Sequence, residues 1–240
     1  MRKLLIFFVL TKAILSYANS FDTVIPPILN RAKQLAHNHA LNPKKPKPII
    51  AIAGCSGVGK TYFTKELARL LKKEKIRVAI FKEDDFNQPT IVKNALIHKH
   101  FDHYRLHNVI RQILDGTEHV IKPIWDSYGS TRIKEDVVAC FWNIDLILFE
   151  GTYTLCDSKN YDFLKYSSLR IFIEATDENI LTWNWEREME HPLKARTREK
   201  FDNDAKWDMD DYHQTILPTK KYADFIINLD ENHSYSIQTN

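Results

Sequence analysis

Residues 48–61 read PIIAIAGCSGVGKT, and this stretch decides the fold. Its first half, PIIAIA (48–53), is a continuous apolar run of the kind found in a parallel strand buried on both faces. Its second half, GCSGVGKT (54–61), satisfies G-x-x-x-x-G-K-[ST] at every fixed position. From Lys60 to Lys73 an amphipathic helix follows, with Phe63, Leu67, Leu70 and Leu71 at helical spacing. Strand, glycine loop and helix in that order form a phosphate cradle. Glycines let successive backbone N–H groups curl round an anion without a clashing Cβ, and the helix N-terminus adds positive potential. The whole loop, Gly54, Cys55, Ser56, Gly57, Val58, Gly59, Lys60 and Thr61, is therefore the candidate nucleotide-binding element. Lys60 is expected to reach the β- and γ-phosphates of ATP, and the Thr61 hydroxyl to face Mg²⁺. A plain strand-to-helix turn would need neither the lysine nor the hydroxyl.

Composition supports this emphasis. The chain has 240 residues, and only six are glycine, where average usage would give about 17. Half of the six fall in the loop. A net charge of +3 is small for this length and gives no footprint for a nucleic-acid partner. Cys55, Cys140 and Cys156 are too few and too irregular for a disulfide framework or a zinc site, and read as reduced thiols.

Downstream, the chain alternates between strands and helices. VAIFKED (78–84) is a second strand that ends in Glu83, Asp84 and Asp85. Helical spacing recurs over Leu106–Leu114, and HVIKPIWD (119–126) and IKEDVVACF (133–141) read as two strands. IDLILFEG (144–151), LRIFIEA (169–175) and ADFIINL (223–229) are further strands, with helices from Asp177 to about Glu190 and from Phe201 to Leu217. This grammar predicts a three-layer α/β fold of the P-loop NTPase type, with a mostly parallel sheet of about five strands. A small β-element at 119–141 would lie over an acceptor site. Ligands of such sheets sit outside the carboxyl ends of the strands, so the acids after the second strand should share an edge with the phosphate loop. A carboxylate there can ligate Mg²⁺ or accept a proton from an attacking hydroxyl; the alternative is a set of solvated turn charges.

Upstream, Phe21 to about Leu41 reads as one helix and NPKKPKP (42–48) as a linker, so 21–47 precedes a catalytic unit at 48–230 and a frayed tail at 231–240. Residues 1–20 have the outline of a secretory signal cut after Ser20, but Lys12 interrupts the apolar run. An amphipathic helix, or sequence ahead of the true start, fits as well. The run is too short to span a bilayer, so stable membrane insertion is not expected. The need for an intracellular nucleotide favours a cytoplasmic protein.

Five segments, taken together, resemble the uridine kinases of the phosphoribulokinase and uridine kinase group. They are KEDDFNQP (82–89), FDHYRLHNVI (101–110), KPIWDSYGSTR (122–132), IDLILFEGTY (144–153) and ILPTKKYADFIINL (216–229). The resemblance runs from about Pro48 to Leu229. It implies an ATP-dependent kinase of a small-molecule hydroxyl, most simply the 5′-hydroxyl of uridine or cytidine, and it allows a homo-oligomer. By the same resemblance, Asp84 is the general base and Asp102 holds the ribose hydroxyls. Thr61, Asp84 and Glu150 surround Mg²⁺, and Arg187, in the helix leading to the lid, is catalytic together with Lys60 and Asp84. The element Trp125–Arg132 contributes Trp125, Ser130 and Arg132 to the acceptor. There the chain departs from its group, since Trp125 and Ser130 replace a tyrosine and a histidine, and an indole N–H can only donate. The lid segment WNWEREMEHPLKART (183–197) is also poor in arginine, with Arg196 and Arg198 as further candidates beside Arg187. Two alternatives stay open: a kinase of another small alcohol, such as a different nucleoside, a sugar phosphate or a vitamin precursor, or a nucleotide-binding regulatory module that transfers nothing. His98, His100, His103 and His107 mimic a metal cluster but lack its usual spacing.

Overall fold

The computed structural model describes residues 2–87, 101–126, 131–132, 136–158, 161–190 and 197–239, with side chains from Ser20 onward and backbone alone at 126, 131 and 132. Six strands form the main sheet in the order β10-β9-β8-β1-β7-β2. Here β1 is Ile49–Gly54, β2 Val78–Lys82, β7 Leu146–Glu150, β8 Leu169–Glu174, β9 Phe225–Leu229 and β10 Tyr235–Thr239. The pairings among β2, β7, β1, β8 and β9 are parallel, and β10 joins β9 antiparallel.

The central strands explain the apolar runs. Every residue of β1 and of β7 is buried, because helices cover both faces of a parallel sheet. Helix α2 (Lys60–Lys73) turns Phe63, Thr64, Leu67 and Leu71 inward, and α3 (His103–Leu114) does the same with Leu106, Val109, Ile110 and Ile113. Each such apolar side chain contributes about 1.5–3 kcal/mol on full burial.

Helix α1 runs unbroken from Arg2 to Leu41, so the boundary read at Phe21 is not a helix end. From Phe21 its stripe of Phe21, Val24, Ile25, Ile28, Ala32 and Ala36 is buried against the body. Phe21 meets Phe63 and Tyr235 edge-on, at 5.6 and 5.3 Å between ring centres. Among the described residues no helix is long and apolar enough to cross a membrane.

The frayed tail expected after Asp230 is instead the sixth strand. Asp230 accepts hydrogen bonds from the backbone N–H groups of Asn232 and Ser234 and closes a tight turn, with His233 in the left-handed region. Tyr235–Thr239 then pairs back along β9. The peripheral β-element consists of two small ribbons, β3 (His119–Lys122) with β6 (Val137–Cys140), and β4 (Trp125–Asp126) with β5 (Thr131–Arg132). Helices α4 (Asp177–Met189) and α5 (Arg198–Asp211) lie beside the phosphate loop.

Candidate active site

At the carboxyl edge of the sheet the residues after β1, β2 and β7 converge on a cleft of about 290 Å³. Ser56, Gly57, Gly59, Lys60 and Thr61 line one side, Glu150, Gly151 and Thr152 the floor, Lys82 and Asp84 the other side, and Arg187 reaches in from α4. Of the residues singled out from sequence, this brings Lys60, Thr61, Asp84, Glu150 and Arg187 together.

The loop needs its glycines for space. A Cβ on Gly54 would stand 2.3 Å from the backbone oxygen of Ile173, and one on Gly57 would stand 2.1 Å from Oδ1 of Asn184. The first is a backbone atom that cannot give way; the second is the end of a side chain that can swing aside, and there the φ of +82 is what favours glycine. Buried Val58 and Cys55 anchor the loop from below, and burial pushes the Cys55 thiol up to about 12, so it stays protonated. Lys60 Nζ donates to the carbonyls of Gly54 and Cys55 at 3.0 and 2.8 Å, which folds it along the loop.

The Thr61 hydroxyl donates to Oε1 of Glu150 at 3.2 Å. Oε2 of Glu150 is buried and has no hydrogen-bond partner among the described residues. Burial is the main reason its carboxyl is raised above the usual carboxylate range, with Thr61, Lys60 and Lys82 opposing. An orphaned carboxylate oxygen beside a threonine hydroxyl is a hard-oxygen donor set of the kind Mg²⁺ takes, and Asp84 lines the same cleft. These residues fit the ion.

The three consecutive acids after β2 go three ways. Glu83 is fully buried, accepts the Tyr153 N–H at 3.0 Å, and keeps Oε1 without a partner among the described residues. Burial pushes its carboxyl up to about 8, so it is largely neutral at pH 7. Asp84 is the exposed one of the three and faces the cleft. Asp85 is buried against the β-element, where it accepts from Lys122 Nζ and from the Trp125 backbone N–H. The turn Glu83–Phe86 thus sorts its charges inward, outward and sideways.

Asp102 is the N-cap of α3, its Oδ1 accepting the Arg105 N–H at 3.0 Å, and its own N–H bonds the Phe86 carbonyl at 2.8 Å. That tie brings it beside the turn carrying Asp84, although it does not line the cleft. Trp125 is partly buried at the start of β4, and Arg132 is described only as backbone in β5. Ser130, Arg196, His98 and His100 lie outside the described residues.

His103 and His107 are taken up by aromatic packing. His107 stacks on Phe163 at 4.3 Å and bonds the Tyr166 hydroxyl at 3.1 Å, while His103 meets Tyr161 at 3.8 Å. The two lid-side tryptophans pack apart, Trp183 on His233 and Trp185 on Phe201. Arg198 pairs with Asp202 at 2.8 Å and lies over the Trp185 ring. Three residues of the site carry no clear mark in the sequence: Lys82, Glu83 as distinct from its neighbours, and Asn184. Asn184 donates to the Ser56 carbonyl at 3.0 Å and accepts from Arg187 at 2.7 Å, so it ties the lid helix to the phosphate loop. The visible signal for Lys82 was a cation ending an otherwise apolar strand.

A model of the phosphoribulokinase / uridine kinase family matches residues 49–234. The chain belongs to this family. It is accordingly an ATP-dependent P-loop phosphotransferase with a hydroxyl acceptor, as the five sequence segments implied. Relatives include a uridine kinase of Mycoplasma pneumoniae, 30% identical over 196 residues, covering 78% of this chain and 88% of the relative. A uridine kinase of Leuconostoc citreum is 27% identical over 187 residues, covering 75% and 86%. Among solved structures, D-glycerate 3-kinase from Cryptococcus neoformans superposes with a TM-score of 0.68 at 15% identity, covering 90% of this chain and 99% of the other. Phosphoribulokinase from Rhodobacter spheroides gives 0.61 at 12% identity, covering 77% and 70%. These structural likenesses establish the three-layer P-loop fold. The matched residues 49–234 span the whole lining of the cleft.

Proposed function

We propose that this chain transfers the γ-phosphoryl group of ATP to the 5′-hydroxyl of a pyrimidine nucleoside. The observation that carries the reading is Asp84, an exposed carboxylate held in one cleft with Lys60, Thr61 and Glu150. A nucleotide-binding module without transfer has no use for such a base. Asp84 takes the hydroxyl proton as the acceptor oxygen bonds to phosphorus, the bond from phosphorus to the β-phosphate oxygen breaks, and ADP leaves with the electron pair. Lys60 and Arg187 stabilise charge on the phosphates, and Asn184 keeps Arg187 against the loop. Mg²⁺ would be held by Thr61, Glu150 and Asp84 and would neutralise developing charge between the β- and γ-phosphates. Asp102 orients the acceptor by hydrogen bonds to the ribose hydroxyls; its capping bond uses Oδ1 and fixes the carboxylate in place.

A second reading, a kinase of another small alcohol, draws support from Trp125, whose backbone is pinned by Asp85 and whose indole offers only a donor. One assay separates the readings. Purified protein is incubated with Mg²⁺, ATP and a panel of nucleosides, sugar phosphates and vitamin precursors, and ADP release is followed. Uridine or cytidine should stimulate release most, and Asp84→Asn should lower that stimulated rate about 10³-fold while ADP affinity stays within a few-fold. Stimulation by a different alcohol establishes the second reading, and no stimulation across the panel sinks both.

A further inference from the structure

The cleft holds a second lysine, Lys82, besides that of the phosphate loop. Lys82 is the last residue of β2 and pairs in register with Glu150 of β7. Its ammonium stands 3.8 Å from Oε1 of Glu150, and its side chain is 41% exposed toward the cleft. The strand order β1-β7-β2 puts Glu150 between the phosphate loop and Lys82. With neighbouring strands about 4.8 Å apart, the two lysines flank that carboxylate from opposite sides. Asp84 lies two residues beyond Lys82, so the lysine occupies the acceptor side of the cleft.

Phosphoryl transfer spreads negative charge over the equatorial oxygens of the moving group, and catalysis depends on cations placed around it. Among the described residues of the lid, only Arg187 lines the cleft; Arg198 is committed to Asp202 and the Trp185 ring. Lys60 approaches from the nucleotide side. A cation on the acceptor side would close the ring of charge, and Lys82 is within the same cavity. We propose that Lys82 is a catalytic residue that contacts the transferring phosphoryl group from the acceptor side, sharing a task otherwise carried by lid arginines. The bland alternative is a counter-charge to Glu150, which would affect nucleotide and ion binding without favouring the transition state.

This inference rests on the kinase reading, and its test can fail separately from it. Affinity for ADP alone, and for ADP with aluminium fluoride as a mimic of the transferring group, is measured by calorimetry in Mg²⁺ for wild type, Lys82→Met and Lys82→Arg. Lys82→Met should weaken the fluoride complex about tenfold or more while leaving ADP within twofold, and Lys82→Arg should recover most of the loss. Equal loss for both ligands, or a shifted Mg²⁺ requirement that accounts for the whole effect, makes Lys82 a counter-charge and overturns the proposal. An unchanged fluoride complex overturns it as well. If no acceptor on the panel stimulates ADP release, the proposed function falls, yet the binding comparison still decides the role of Lys82.

Discussion

The two edges of the main sheet treat carboxylates in opposite ways. At the amino edge, Arg77 and Asp145 join β2 to β7, and Arg170 and Asp224 join β8 to β9, by one repeated pattern. In each, one aspartate oxygen accepts from the arginine backbone N–H and Nε, the other accepts from Nη2, and the aspartate N–H donates back to the arginine carbonyl. Both carboxylate oxygens are hydrogen-bonded within the pair. At the carboxyl edge, Glu83 and Glu150 each keep a buried oxygen with no partner among the described residues. Their carboxyls are pushed up by burial, whereas Asp145 is held below the usual range by Arg77. One edge satisfies its charges internally and serves stability. The other pairs Asp85 and Glu174 but leaves an oxygen of Glu150 over in the cleft, at the edge where open α/β sheets bind ligands.

The sharpest way to break this contrast is Gly54→Ala. The added methyl meets the Ile173 carbonyl at 2.3 Å, a backbone atom that cannot swing aside, at a φ of +150 that L residues rarely adopt. We expect a loss of roughly 2–4 kcal/mol in thermal unfolding and at least a tenfold weaker affinity for ADP. Wild-type affinity in a folded Gly54→Ala protein would show that the loop does not need that close approach.

How much of this edge is legible in sequence follows from what fixes it. The phosphate loop is dictated by local chemistry, since glycines, a lysine and a hydroxyl at set spacing have one shared use, and the flanking apolar strand and amphipathic helix agree with it. Asp84 could be placed at the edge for the same reason, by counting along a strand. Its neighbours could not be assigned: Glu83, Asp84 and Asp85 are equivalent as letters, and only the packing of Gly151, Tyr153 and Lys122 around them sends one inward and one sideways. Nothing local marks Asn184, because the loop it ties, at Ser56, is 128 residues away. The clasps of the other edge span 68 and 54 residues and leave no periodic trace. The sixth strand leaves a weak signal because Tyr235 and Ile237 are its only apolar residues, and its pairing depends on a turn built by the Asp230 side chain.

A second test concerns the sign of the pH dependence at the carboxyl edge. Glu83 keeps its proton in the folded state up to about 8 but loses it near 4.3 when unfolded. The folded state therefore binds the extra proton between those values, and stability falls as pH rises through that window. Glu83→Gln retains an acceptor for the Tyr153 N–H and removes the titration. Its unfolding free energy should match wild type near pH 4 and exceed it by on the order of 1–3 kcal/mol at pH 8. Parallel stability curves from pH 4 to 8 would mean that Glu83 ionises freely in place.

At the amino edge the sign reverses, and the effect is smallest. Asp145 has its folded value lowered, chiefly by the Arg77 hydrogen bonds, so its contribution is complete above the unfolded value of about 3.9 and is lost as pH falls through the folded value. Arg77 is about half exposed, and solvent screening keeps the contribution of the pair small. Asp145→Asn should therefore be slightly less stable than wild type at pH 7, with the gap closing below pH 4, and its acceptor-stimulated rate should not change. A gap that widened in acid would place the source of Asp145's stabilisation elsewhere than in its charge. A fall in turnover without loss of stability would mean that the two edges are coupled through β7, the strand that begins one residue after Asp145 and ends at Glu150.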